Sequence, residues 1–168
     1  VSEAAGRLRE AGHEVVDVHP YPDAEITFEA FRTIFTAKLA GLQGPAEGLV
    51  AWLRAHGRAV TRQRLDQANH HADALPRLLA EHWDIDALLT PMTTTDPPPL
   101  GHFAALDPED DFHEQTRWSP WGSLFNMTGA AAVSVPWELP GRPPVGVHLG
   151  AVRLNDAELL TLARELHP

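Results

Sequence analysis

Four serines, one lysine and ten histidines are the residues of this 168-residue chain best suited to nucleophilic or acid–base chemistry. The serines are Ser2, Ser119, Ser123 and Ser134, and none sits in a glycine-rich Ser-Ser stretch. Lys38 is the only lysine, so any mechanism that requires a neutral amine base has a single candidate. The absence of cysteine removes disulfide scaffolds, thiolate zinc sites and cysteine nucleophiles together. His70 and His71 are adjacent, and neighbouring helical side chains point about 100° apart, so the two are poorly placed to chelate one ion. His70 and Asp73 share a face at i,i+3, but there is no His-x-x-x-His spacing, and a solvated helix face is the default reading. The run Asp107, Glu109, Asp110, Asp111, Glu114 lacks the alternation and glycine turn of a calcium loop and reads as a solvated acidic loop. No metal and no cofactor is expected.

Elements that would position these residues follow from hydrophobic periodicity. Hydrophobic residues make up 43% of the chain and charged residues 21%, a core-forming composition sized for one compact domain over 1–168. A net charge of −10 argues against nucleic acid and anionic membrane surfaces as partners. The longest apolar stretches, Gly129–Val135 and Val145–Val152, are far short of the roughly 20 residues that span a bilayer. With no signal-like segment and no cysteine, a reducing, cytoplasmic location is expected. An opening Val1 that enters a helical pattern at once hints at truncation or an unusual start.

The spacing predicts a Ser2-capped helix ending at Gly12, then a strand over Glu14–Val18 closed by Pro20 and Pro22. A helix with Phe28, Phe31, Phe35 and Leu39 on one face is predicted from Thr27 to Gly41, capped by Thr27. A shorter helix over Ala46–Ala55 follows, then a long one from Thr61 with the stripe Leu65, Ala68, Ala72, Leu75, Leu79, which Pro76 should kink or split. Asp86–Thr90 reads as a buried strand stopped by Pro91, and Met92–Gly101 as irregular. Thr116–Met127 reads as a helix or a pair of turns, interrupted at Pro120 and Gly122. Two continuously apolar strands, Ala131–Val135 and Val145–Ala151, belong in the middle of a covered sheet, and a final helix is capped by Asp156.

Several of these segments form a composite pattern. Asp86-Ala87-Leu88-Leu89-Thr90-Pro91 precedes Pro97-Pro98-Pro99-Leu100-Gly101. Then come Phe125-Asn126-Met127-Thr128-Gly129, Ala132-Val133-Ser134-Val135-Pro136 and Pro144-Val145-Gly146-Val147-His148-Leu149. In this order and spacing the chain resembles the C-terminal part of an amidase-signature hydrolase. Its opening, Ala11-Gly12-His13-Glu14-Val15-Val16-Asp17-Val18, resembles the helix–strand unit found mid-chain in that family. One departure is the stretch Gly129-Ala130-Ala131-Ala132, where the family usually places a proline; its loss is expected to relax the strand entry.

The resemblance implies a large α/β fold in which a mixed β-sheet is covered by helices. It also implies amide or ester hydrolysis by a Ser–Ser–Lys triad, with backbone N–H groups of a glycine-rich loop holding the oxyanion. Those parts lie in the N-terminal half of the family's chain, and this sequence does not contain them. The expectation is a single α/β segment that forms part of a small-amide pocket and has no hydrolytic activity alone. Thr90, Pro91 and Met92 follow a strand end, where α/β folds place ligands, although an ordinary strand-stopping proline explains them nearly as well. Trp121 and Phe125, with Trp118, form either an aromatic wall for the substrate or ordinary packing. Asn126 either orients the pocket or satisfies a helix end. The rival expectation is a truncated, non-enzymatic binding module. In the fragment reading the cut sheet leaves unpaired edges that favour association, including homodimers, whereas a cleanly monomeric chain with a cooperative melt fits the rival.

Overall fold

A computed structural model describes residues 1–21 and 23–166. Apolar residues at helical spacing build seven helices among these residues: α1 (Ser2–Glu10), α2 (Ala24–Leu39), α3 (Gly48–Ala59), α4 (Arg62–His82), α5 (Pro108–Trp118), α6 (Gly122–Thr128) and α7 (Asp156–Leu166). Three strands, β1 (Ala87–Pro91), β2 (Ala132–Leu139) and β3 (Arg142–Ala151), form one sheet in the order β1-β3-β2. Both pairings are antiparallel, with Leu89 opposite Leu149 and Val133 opposite the same residue on the other side. The α/β class matches expectation; no parallel pair of a mixed sheet lies among the described residues.

Side chains alternate across the sheet, so each face has its own core. Val135, Val147, Leu149 and Ala151 pack against Leu8 of α1 and Leu159 of α7. On the opposite face Leu88 packs with Phe125 of α6 and with Leu75, Leu79 and Trp83 at the end of α4. The continuous apolar run of β3 is explained by its central position between these two layers. β2, expected to be equally covered, is instead an edge strand with half of its residues exposed and only Val135 buried.

The helical boundaries show which local signals prevailed. Thr61 caps α4, accepting from the Arg64 backbone N–H at 3.2 Å. α4 runs unbroken through Pro76, which is exposed while Leu75 and Leu79 anchor the opposite side. Thr27 is not a cap: α2 begins at Ala24, and the Thr27 hydroxyl is buried 2.9 Å from His71 Nε2 on α4. α2 therefore turns Thr27, Ala30, Thr33 and Thr36 inward, while Phe28, Phe31 and Phe35 join Phe112 of α5 in a separate aromatic row. Ser2 makes no capping bond and is the first residue of α1. Asn155, not Asp156, caps α7. Its Oδ1 accepts from Ala157 and Glu158 N–H, and the Glu158 carboxylate accepts from Asn155 N–H.

Two segments differ from expectation more substantially. The acidic run is mostly helix: Pro108 opens α5, and Glu109, Asp110 and Asp111 occupy its first turn, where the helix dipole favours negative charge. Glu14–Val18 joins no sheet. Pro22, one of the prolines expected to close it, lies outside the described residues. No helix among the described residues is long and apolar enough to cross a membrane.

Candidate functional site

β1 delivers Thr90 and Pro91 to one end of the sheet. Thr90 is 5% exposed, and its hydroxyl lies 3.2 Å from His148 Nδ1 on β3. The chain then leaves the strand but stays tethered: Met92 N–H donates to the Gly146 carbonyl at 2.9 Å, and the Ser119 hydroxyl donates to the Met92 carbonyl at 3.4 Å. Gly146 is required here, because a Cβ would lie 2.7 Å from both Met92 Cβ and Ser134 Oγ. Thr94 N–H donates to the Trp118 carbonyl, which fastens the segment after β1 to the end of α5.

A cavity of about 1000 Å³ opens beside β1. Its lining includes Leu89, Thr90 and Pro91 of β1, the His13–Tyr21 segment, Trp121 at the N-cap of α6, and Leu124 of α6. Tyr21 and Trp121 are among its lining residues, and Trp121 Nε1 is buried without a hydrogen-bond partner among the described residues. Burial, reinforced by the charge of the Asp23 carboxylate and by a hydrogen bond to it, raises the Tyr21 pKa. Burial lowers the His148 pKa, which favours the neutral ring.

Of the residues singled out from sequence, Thr90, Pro91 and Trp121 line this cavity. Met92 sits just past it against Gly122 and Gly146. Phe125 is 4% exposed beneath the sheet, edge-on to His148 with ring centroids 5.2 Å apart, in the core that also holds Leu88. Gly150 matches that ring, since a Cβ there would overlap it. Asn126 is exposed on α6 and points to no partner among the described residues. Sequence reasoning passed over Tyr21 and His148. The available signal for His148 was its place in the alternation of β3, two residues from glycines on either side.

The four serines occupy separate settings. Ser123 donates to the Pro120 carbonyl, Ser119 to Met92, Ser2 opens α1 and Ser134 lies on the outer strand, while Lys38 is exposed in the last turn of α2. Among the described residues no three His, Asp or Glu side chains gather around a common point that would hold a metal.

Residues 1–160 match the family model described as Amidase. The chain belongs to the amidase family. Among curated amidases it is 26% identical over 176 residues to a protein named putative amidase AmiB2 from Mycobacterium tuberculosis (strain ATCC 25618 / H37Rv), and equally to its namesake in Mycobacterium bovis. That match takes in 99% of this chain and 37% of the relative. Among solved amidase-fold structures, a 6-aminohexanoate cyclic dimer hydrolase complexed with substrate matches with a TM-score of 0.76 at 22% identity, covering 98% of this chain and 39% of that one. The native peptide amidase from Stenotrophomonas maltophilia matches at a TM-score of 0.58 and 21% identity, over 98% of this chain and 37% of its own. These structural likenesses establish a shared fold. This amidase-family chain thus spans well under half the length of its relatives. In it, Gly129 (φ +67°) ends α6, and the Ala131 carbonyl accepts from Ala151 N–H even without the family's usual proline.

Proposed function

We propose that this chain is the C-terminal segment of an enzyme that hydrolyses a carbon–nitrogen amide bond, supplying part of the sheet and one wall of the substrate pocket. The observation that carries this reading is the family match over residues 1–160 in a sequence without a Ser-Ser pair or a second lysine. In this reading the nucleophile, its relay serine and the lysine base come from the remainder of the fold, and the 168 residues alone turn over no amide.

Thr90, Pro91 and Trp121 face the substrate, a small-molecule amide. Trp121 Nε1 is suited to donating to its carbonyl oxygen, since it is a buried donor with no partner among the described residues. Met92, Phe125 and Asn126 act from behind this wall: Met92 by its backbone tether, Phe125 by holding β3, and Asn126 at the open side of α6. The setting is a cytoplasmic hydrolase needing no cofactor.

The test is the intact mass of the protein produced from its native locus, followed by assay on simple aliphatic and aryl amides. A mass well above 18.4 kDa, with a glycine-rich Ser-Ser segment and an upstream lysine in the added sequence and measurable amide turnover, is expected. A native mass near 18.4 kDa, or saturable turnover by the 168 residues alone that a serine reagent abolishes, overturns the proposal.

A further inference from the structure

The part of the cavity built by α2, α5 and α6 differs in character from the rest. Phe28 comes from α2, Thr116 from α5, and Trp121 and Ser123 from the N-cap and first turn of α6. Hydrogen bonds gather these elements at the Pro91 end of β1. The Ser119 hydroxyl donates to the Met92 carbonyl, and Thr94 N–H donates to the Trp118 carbonyl. The Phe28 ring lies 6.2 Å from that of Phe112, one turn before Thr116.

Among the described residues these three helices bring no titratable side chain to the cavity. Its charged groups come instead from the segment after α1, where Glu14 and Asp17 lie, and from Asp84 and Asp86 leading into β1. The Arg9 guanidinium is held by the Val15 carbonyl at 3.2 Å. Hydroxyls are present at the Pro91 end, but each is already bonded within the protein. Thr27 lies 2.9 Å from His71 Nε2, Thr116 donates to the Phe112 and His113 carbonyls at 3.0 and 2.9 Å, and Ser123 donates to the Pro120 carbonyl at 3.1 Å. Trp121 Nε1 alone among these side-chain groups is buried without a partner among the described residues.

Such a wall discriminates by chemistry. A carboxylate or ammonium placed against it loses its hydration and gains no partner. A flat ring has nothing to leave unpaired, and it meets the faces and edges of Phe28 and Trp121. Phe28 is also held in place before any ligand arrives: Phe31 and Phe112 lie 6.2 Å from its ring and His113 6.1 Å. We propose that Phe28 and Trp121 select an uncharged aryl amide, Trp121 Nε1 donating to the amide oxygen while the attached ring lies against Phe28. Phe28 is then a specificity-determining residue for the reaction. That the bound group is an amide rests on the amidase reading; that it is neutral and aromatic rests on the wall itself.

The experiment uses the protein produced from its native locus and three probes: benzamide, cyclohexanecarboxamide and 4-carbamoylbenzoate. Dissociation constants are measured by ligand-observed NMR, and benzamide hydrolysis is followed in the same samples. Benzamide is expected to bind about fivefold tighter than cyclohexanecarboxamide, the size of one aromatic contact. It should bind at least about tenfold tighter than 4-carbamoylbenzoate, whose charge finds no partner. Phe28→Leu keeps an apolar wall without the ring, so it should erase the first preference and keep the second. Phe35→Leu, at the exposed end of the same aromatic row, should leave both preferences unchanged. Four results overturn the proposal: benzamide does not bind; 4-carbamoylbenzoate binds as tightly; Phe28→Leu keeps the aryl preference; or Phe35→Leu erases it equally, which makes the effect one of packing. Selective binding without hydrolysis supports the aryl subsite while the amidase reading fails. Hydrolysis without selective binding overturns the subsite and leaves the amidase reading standing.

Discussion

His148 is 3% exposed between Thr90 and the edge of the Phe125 ring, and neither neighbour carries a charge to offset protonation. Its folded pKa lies below the ordinary value of 6.5, with desolvation by burial as the cause. The unfolded chain therefore binds this proton more readily. The stability that follows from it is complete above about pH 6.5 and is lost as pH falls through the depressed folded value. Urea midpoints measured between pH 5 and 8 should decline on the acid side, and His148→Gln should flatten that decline relative to the other nine histidines. Gly150 offers a steric counterpart. Gly150→Ala pushes a methyl into the Phe125 ring, and a loss of about 1–3 kcal/mol is expected by urea unfolding. Trp121 tests the proposed pocket: under the amidase reading, Trp121→Ala in the longer parent protein should raise KM for an aryl amide about fivefold with kcat largely kept, as expected for an aromatic contact of about 1 kcal/mol.

At the scale of elements, α7 shows how a short cap supports a layer. Asn155 and Glu158 satisfy three backbone N–H groups at its start, and Leu159 and Leu166 are fully buried against the sheet. Asn155→Ala should cost about 1 kcal/mol, read by thermal or urea unfolding, whereas Asp156→Ala should cost less because Asp156 is not the cap. The sequence pointed to a cap at this junction but chose the neighbouring residue, since Asn and Asp are equivalent N-caps by type and only the φ/ψ break distinguishes them. The same limit shifted α2 by a turn: Thr27 is a good cap by chemistry, but the helix starts at Ala24 and buries Thr27 against His71. For α5 the signal was present and outweighed. Asp107-Pro108-Glu109 is a helix start by its proline and acidic first turn, yet the density of charge read as a loop until Phe112 was seen buried.

Across the whole molecule the charge of −10 carries a prediction that needs no site: labelled duplex DNA should show no anisotropy change with micromolar protein at 50 mM salt. The family was also legible in the sequence, because Phe125–Gly129, Ala132–Pro136 and Pro144–Leu149 are local strings whose order and spacing survive without coordinates, and the match over residues 1–160 agrees with them. So were the buried faces of β3 and of α4, where an unbroken apolar run and the stripe Ala68, Leu75, Leu79 each report burial directly. Other features were settled only by tertiary structure. Which of two apolar strands is central depends on its neighbours: β3 is paired on both edges and β2 on one. Glu14–Val18 alternates as a strand should, but a strand exists only when another edge accepts its hydrogen bonds, and none among the described residues does. The sequence by itself determined the residues, their periodicity and the family they signal, since these depend on neighbours along the chain. The pairing of Thr90 with His148, the seating of Phe125 over Gly150 and the open side of β1 were decided by the fold, since each joins residues far apart in sequence.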